Sequence, residues 1–398
     1  MPDEKKPDQE PDGKRPAAPE RLDGLRVALV LGTAAGGLGR HVRAVAAGLA
    51  ERGAGVVVCG PAATEESYGF TGPGVRFAEV DVADRPRPVQ DARAVLRLRR
   101  LLADADVVHA HGLRAGALAI AATARVAPGP LRLSRGGAPV VVTLHNAVLA
   151  GGRTAAVYGA LERVVARGAA MVLGVSPDLE ERMRALHARR VGLALVPSPA
   201  PDAPPDPAAR DRVRAALGAG ERPLIVTVGR LADQKGLPTL LDAAAGWDRR
   251  APKPLVAIAG DGPLRPELEA RIGAEDLPVR LLGHRADVPD LLAAADVAVV
   301  PSVWEGQPLI VQEILRAGRP LVATRVGGIP VMVGADAALL VEPGEAEALE
   351  RAVASVLDDP ELAARLGAAA LRRAGTLPTE RDAVDQLAGI YRGLTERK

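Results

Sequence analysis

The chain has almost no aromatic residues. Phe, Trp and Tyr together make up 2% of its 398 residues, so its core must be built from Val, Leu, Ile and Ala. Such a core suits parallel strands covered by alanine-rich helices. Cys59 is the only cysteine, which excludes an intrachain disulfide and fits a reducing compartment. No uninterrupted apolar run approaches the roughly 18 residues that a membrane span needs. Residues 1–20, MPDEKKPDQEPDGKRPAAPE, are polar and proline-rich with no apolar segment of the kind a signal peptide carries, and read as a disordered tail. Lysine is scarce too. Between the tail and the final residue only Lys235 and Lys253 occur, and arginine supplies the remaining positive charge. The net charge of +2 is unevenly divided. Residues 21–197 hold 23 basic against 14 acidic side chains, a net of +9; residues 198–380 hold 20 against 26, a net of −6. A basic first half suits an anionic substrate or an acidic membrane.

What remains is a globular composition, 48% apolar and 25% charged, long enough for two domains. Short apolar runs recur at 26–32, 55–60, 106–112, 139–146, 170–176 and 192–198, with helical patterns between them. Strands alternating with helices predict a right-handed, parallel, doubly wound sheet. The run PSPAPDAPPDPAA at 197–209 reads as a linker, since proline removes donors and restricts the backbone. The alternation then restarts at 223–230 and continues through 254–263, 279–284, 296–300, 320–328 and 337–344. The prediction is an α/β chain of two tandem Rossmann-like domains, 21–197 and 198–378, whose strand carboxyl ends face one cleft. A last helix at 379–398 is expected to pack back on the first domain.

The richest stretch is PSVWEGQPLIVQEILRAGRPLVATRVGGIP, residues 301–330. A strand runs into a turn carrying Glu305, and a helix then opens that carries Glu313. The free amides and positive end of such a helix suit a phosphate. Carboxylates beside it suit sugar hydroxyls, because they accept hydrogen bonds. Phosphate and sugar together point to a nucleotide-sugar. VGRLADQKG at 228–236 adds Arg230 and Lys235 on the turn after the strand that opens the second domain. Arginine offers phosphate a planar fork and lysine a point charge, a combination suited to a diphosphate. GTAAGGLGRHV at 32–42 is a glycine-rich turn between strand and helix, which is weak evidence by itself. The second strand ends Val58-Cys59-Gly60-Pro61 with no acid to hold a ribose, which disfavours a dinucleotide cofactor. Four histidines, His41, His109, His111 and His145, fall at strand ends or by this first loop. His109 and His111 share one strand face. Zinc would want further ligands at defined spacing, and neither a second cysteine nor an HExxH pattern is present.

These motifs together resemble the retaining family-4 glycosyltransferases of the GT-B fold. The similarity runs through GGLGRH, DVVHAH, VVTLHN, VSPDL, VGRLADQKG, GDGP, LLGH, PSVWEGQPLIVQE and AGRPLVATRVGGIP, nearly the whole chain beyond the tail. The resemblance implies transfer of a hexosyl or N-acetylhexosaminyl group from a nucleoside-diphosphate sugar to an acceptor hydroxyl, with retention and without a metal. It implies that Arg230 and Lys235 clamp the diphosphate, that Glu313 holds the ribose, and that Glu305 lies near the transferred sugar. Backbone amides from Gly306 through Leu309 and Ile310 would meet phosphate and sugar. Gly229 would lie in the donor site, and Gly283 and His284 would face the nucleobase. His145 would contact the sugar near the reacting centre. Gly37 would shape the donor site, and Gly36, His109 and His111 the acceptor side.

Departures from the family pattern are Gln307-Pro308 where Phe-Gly is common, Val331 where Glu is common, and Ser198-Pro199 where Asn-Gly is common. A catalytically silent nucleotide-sugar-binding protein and a nucleotide-sugar epimerase on the same fold are the alternatives. No cofactor, metal or nucleic-acid partner is expected. A lipid, a polysaccharide precursor and a small polyol all fit as acceptor. The expected location is the cytoplasm, with peripheral contact at the inner membrane face through the basic helix 92–103.

Overall fold

Two parallel sheets organise the computed structural model, which describes residues 20–33, 36–83, 85–126, 133–134, 137–147, 152–199, 206 and 208–396. The amino-terminal tail before Glu20 and most of the proline-rich run lie outside the described residues.

The first sheet contains β1 (Arg26–Leu31), β2 (Gly55–Gly60), β3 (Val75–Glu79), β4 (Val107–His111), β7 (Val140–Leu144), β8 (Met171–Gly174) and β9 (Val191–Leu193). Between β4 and β7, the two-residue strands β5 (Arg125–Val126) and β6 (Leu133–Ser134) pair antiparallel. The seven strands lie in the order β3-β2-β1-β4-β7-β8-β9 and all neighbours are parallel. The second sheet contains β10 (Leu224–Val228), β11 (Leu255–Ala259), β12 (Val279–Gly283), β13 (Val297–Val300), β14 (Leu321–Thr324) and β15 (Leu339–Val341), in the order β12-β11-β10-β13-β14-β15. It too is parallel throughout. The central strands are buried along their whole length because helices cover both faces, which is why they read as continuous apolar runs.

Six first-domain strands and all six second-domain strands fall where the apolar runs predict them. The edge strand β3 escaped prediction because VRFAE mixes polar and apolar residues, as a half-exposed edge allows. In each sheet the strand order reverses once, between β1 and β4 and between β10 and β13. Such switch points leave a crevice beyond the strand carboxyl ends, where doubly wound proteins bind ligands.

The helix Glu380–Thr395 opens with a capping box between Thr379 and Asp382. It buries Ala383, Val384, Leu387, Ala388 and Tyr391, of which all but Ala383 join the core of the first domain. Gln386 ties it to the first sheet beside β9, accepting from Leu195 N at 3.1 Å and donating to Leu193 O at 2.9 Å. Among the described residues no helix is long and apolar enough to cross a membrane.

Candidate active site

At the second switch point the turns after β10 and β13 are laced together. Val303 N donates to Gln234 O at 2.8 Å, and Gln234 Nε2 donates to Trp304 O at 2.9 Å. This lacing brings Lys235 to Glu305 across 70 residues of sequence. Lys235 Nζ lies 2.5 Å from Glu305 Oε1, which also accepts from Ser302 Oγ at 2.7 Å. Glu305 is only 5% exposed, so its charge is sustained by these partners. The stem of Lys235 passes over Gly229. Arg230, next to it, is exposed and has no acidic partner among the described residues. The structure therefore gives the two cations different states: one paired and half-buried, one free of any such pair.

The next helix spans Leu309–Arg316, with Pro308 at its N-cap. Pro308 sits in an extended conformation, so the helix begins only after it. The amides of Leu309 and Ile310 have no hydrogen-bond acceptor among the described residues, as expected for a first helical turn. Glu313, one turn on, accepts from Ser198 Oγ at 3.3 Å. Gly283 ends β12, where its carbonyl accepts from Gly260 N at 2.7 Å, and His284 beyond it is exposed.

At the first switch point four histidines converge from three elements. His111 at the end of β4 and His145 just after β7 meet at 3.1 Å, Nδ1 to Nε2. His41, on the helix Gly37–Glu51, stands edge-on to both, with ring centroids 6.0 and 6.1 Å away. His109 stacks on His111 at 4.3 Å. It is 1% exposed, and its two nitrogens engage Tyr391 Oη at 2.6 Å and Thr143 Oγ1 at 2.7 Å. His109 thus packs against His111 with both of its ring nitrogens engaged inside the protein. Burial opposes protonation of all four rings: it pushes His41 down to about 4 and His109 to about 3, and holds His111 and His145 well below the usual histidine value. Neighbouring histidines add to the effect at His109, His111 and His145.

The two switch points face each other. Gly306 is pressed against the first domain: a Cβ there would lie 2.3 Å from Val175 Cγ2 and 3.5 Å from His145 O. Gly37 is the reciprocal contact, where a Cβ would lie 2.8 Å from Leu309 Cδ1. Gly36 before it takes a positive φ of 65° and is exposed.

Two glutamines join the domains. Gln307 accepts from Val196 N at 2.9 Å and donates to Val175 O at 3.1 Å and Ala194 O at 2.5 Å. Gln312 accepts from Ser198 N and donates to Val196 O, both at 2.8 Å. Trp304 Nε1 donates to Asp178 Oδ2 at 2.8 Å. Gln307 and Ser198 stand at positions that depart from the family pattern, and both serve this join. Sequence reasoning missed Ser302, Gln312, Thr143 and Tyr391; for Tyr391 the only signal was that the chain has three tyrosines.

Two facing Rossmann-like domains with a cation-bearing crevice define a GT-B-type glycosyltransferase architecture. Residues 36–199 match the family described as Glycosyl transferase 4-like domain, and residues 209–373 match Glycosyl transferases group 1. An alpha-D-kanosaminyltransferase of Streptomyces kanamyceticus is 32% identical over 308 residues, covering 72% of this chain and 76% of that protein. A GDP-mannose-dependent alpha-(1-6)-phosphatidylinositol monomannoside mannosyltransferase of Mycolicibacterium smegmatis is 30% identical over 288 residues, 69% of this chain and 73% of that protein. In fold the chain is similar to Anabaena HepE, solved in complex with UDP, at a TM-score of 0.74 and 20% identity, covering 93% of this chain and 100% of that one. The chain belongs to the family-4, group 1 glycosyltransferases.

Proposed function

We propose that this enzyme moves a hexosyl or N-acetylhexosaminyl group from a nucleoside-diphosphate sugar to an acceptor hydroxyl, with retention and without a metal. The observation that carries the reading is the meeting of two switch points, one bearing Arg230, Lys235 and the free amides of Leu309 and Ile310, the other bearing His145. A lysine ammonium has three donors, so pairing with Glu305 leaves capacity for a phosphate oxygen. Arg230, Lys235 and the two amides would stabilise the negative charge that develops on the departing diphosphate, a role that metal ions fill in other enzymes. Glu313 and Ser198 offer a polar pair for ribose hydroxyls, and Gly283 with His284 a backbone edge for the base. Glu305 is engaged by Lys235 and Ser302, which suits a positioning group better than a nucleophile. In the proposed step the bond from C1 to the diphosphate oxygen breaks as the bond to the acceptor oxygen forms on the same face. The acceptor's proton passes to the departing phosphate oxygen.

The test incubates the full chain with uridine, guanosine and adenosine diphosphate sugars and an acceptor extract, and reads the product anomer by NMR with and without EDTA. A retained anomer, insensitive to EDTA, is expected. An inverted anomer or loss of activity in EDTA overturns the corresponding part of the reading. Donor binding without turnover would instead establish a silent binding protein, and a changed sugar without acceptor an epimerase.

The helix Pro88–Leu101 supports an acceptor presented at an anionic membrane. It buries Ala94 and Leu98 in the first-domain core. Away from that core it carries Arg93, Arg97 and Arg100, with Val89 67% and Leu96 58% exposed on the same helix. A basic face with apolar residues set beside it suits interfacial binding. Each arginine near anionic lipid is worth about 1 kcal/mol, so Arg93→Ser, Arg97→Ser and Arg100→Ser together should weaken co-sedimentation with anionic vesicles by roughly a hundredfold at low salt. Equal binding to neutral and anionic vesicles, or none to either, overturns the membrane reading.

A further inference from the structure

We infer that His111 is a positioning residue that sets the tautomer of His145, so that His145 presents Nδ1–H, and not a bare nitrogen, to its ligand. The inference deepens the proposed function and rests on its placing His145 at the reacting centre. The geometry leaves few choices. His145 Nε2 is engaged by His111 Nδ1 at 3.1 Å, so Nδ1 is the nitrogen of His145 left for a ligand or solvent. Both rings are neutral, so one of the two facing nitrogens carries a proton and the other accepts it.

The choice is made at the far side of His111. Its Nε2 is buried and has no hydrogen-bond partner among the described residues. A proton there would leave an orphaned N–H inside the protein, which folded proteins avoid more strictly than an unpaired acceptor. The proton of His111 therefore sits on Nδ1 and is donated to His145 Nε2, and the proton of His145 sits on Nδ1. His145 is only partly buried, so its Nδ1–H can be satisfied from the cleft. The ring of His111 is held in this orientation by stacking on His109, which is pinned between Tyr391 of the last helix and Thr143 of β7. The consequence is chemical. His145 recognises an oxygen lone pair on the sugar, the acceptor or the phosphate, and does not take the acceptor's proton.

The tautomer is read directly by nitrogen NMR of histidine-labelled full chain, where protonated and bare ring nitrogens resonate far apart. The chain has only six histidines, so single substitutions assign them. Wild type is expected to show His145 protonated at Nδ1. His111→Asn, whose amide nitrogen replaces Nδ1 as donor, should keep that state. His111→Leu should give mixed tautomers and lower kcat about tenfold with KM changed less than about twofold, and His111→Asn should recover most of that loss. Melting temperatures of both variants check that the fold survives. A bare Nδ1 on wild-type His145, or identical tautomers in folded Asn and Leu variants, overturns the inference. Because the ring state is measured without substrate, absence of glycosyl transfer by wild type would remove the proposed function and leave this result standing.

Discussion

Lys235→Ala and Arg230→Ala are each expected to lower turnover about a hundredfold or more, yet only the first should destabilise the fold. The kinetic loss follows from removing one charged donor from a developing diphosphate, which typically costs about 3 kcal/mol. The difference in stability follows from burial. Lys235 neutralises Glu305, whose side chain is 7% exposed, whereas Arg230 stands in solvent without an acidic partner among the described residues. Removing one partner of a buried pair strands the other charge at about 3–5 kcal/mol. Ser302 Oγ still donates to Glu305 Oε1 and should hold the loss near the lower end. Adding Glu305→Gln to Lys235→Ala should then recover stability without recovering turnover. Denaturant midpoints and kcat/KM for wild type and these three variants check this. Unchanged kinetics in both single variants would remove the diphosphate clamp; equal stability losses in both would remove the buried pair.

Mild acid should destabilise the protein well before its carboxylates titrate. His41, His109, His111 and His145 are neutral in the fold, with affinities for the proton held below the ordinary value of 6.5. Between pH 6.5 and the lowered folded values, the unfolded chain binds protons that the folded chain refuses. Stability is therefore full above about pH 6.5 and falls as pH drops through the window below it. Between about pH 6.5 and 5.5 each such histidine contributes about 1 kcal/mol of loss, up to about 4 kcal/mol for the four. That is a large share of the roughly 5–15 kcal/mol typical of a folded domain. Urea midpoints at about pH 7.5, 6.5 and 5.5 measure it, and the window lies above the range where aspartate and glutamate protonate. A midpoint constant across it would show that the four rings are not held neutral together.

The parts of this protein that were legible in sequence are those set by local pattern. Buried parallel strands must be continuously apolar, so VVVTL and LVAIA announce themselves without any partner in view. Lys235, one of two lysines between the tail and the final residue of an arginine-using chain, stood out by composition, and Glu305 and Glu313 by their place after a strand. What the residues could not disclose is who meets whom across the switch points.

Lys235 and Glu305 are 70 residues apart and meet because β10 and β13 are neighbours in the sheet. His41, His111 and His145 cluster because β1, β4 and β7 lie side by side, and Tyr391 reaches His109 across 282 positions because the last helix returns to the first domain. Gln307 and Gln312 read as ordinary polar residues of a turn and helix, yet they join the domains. Sequence by itself determined the elements, their parallel class and the candidate chemistry, since hydrophobic period and loop composition are local properties. Only the tertiary structure decided the pairings and the protonation of the histidines, because these depend on strand order, on burial and on the approach of two domains that share no local signal.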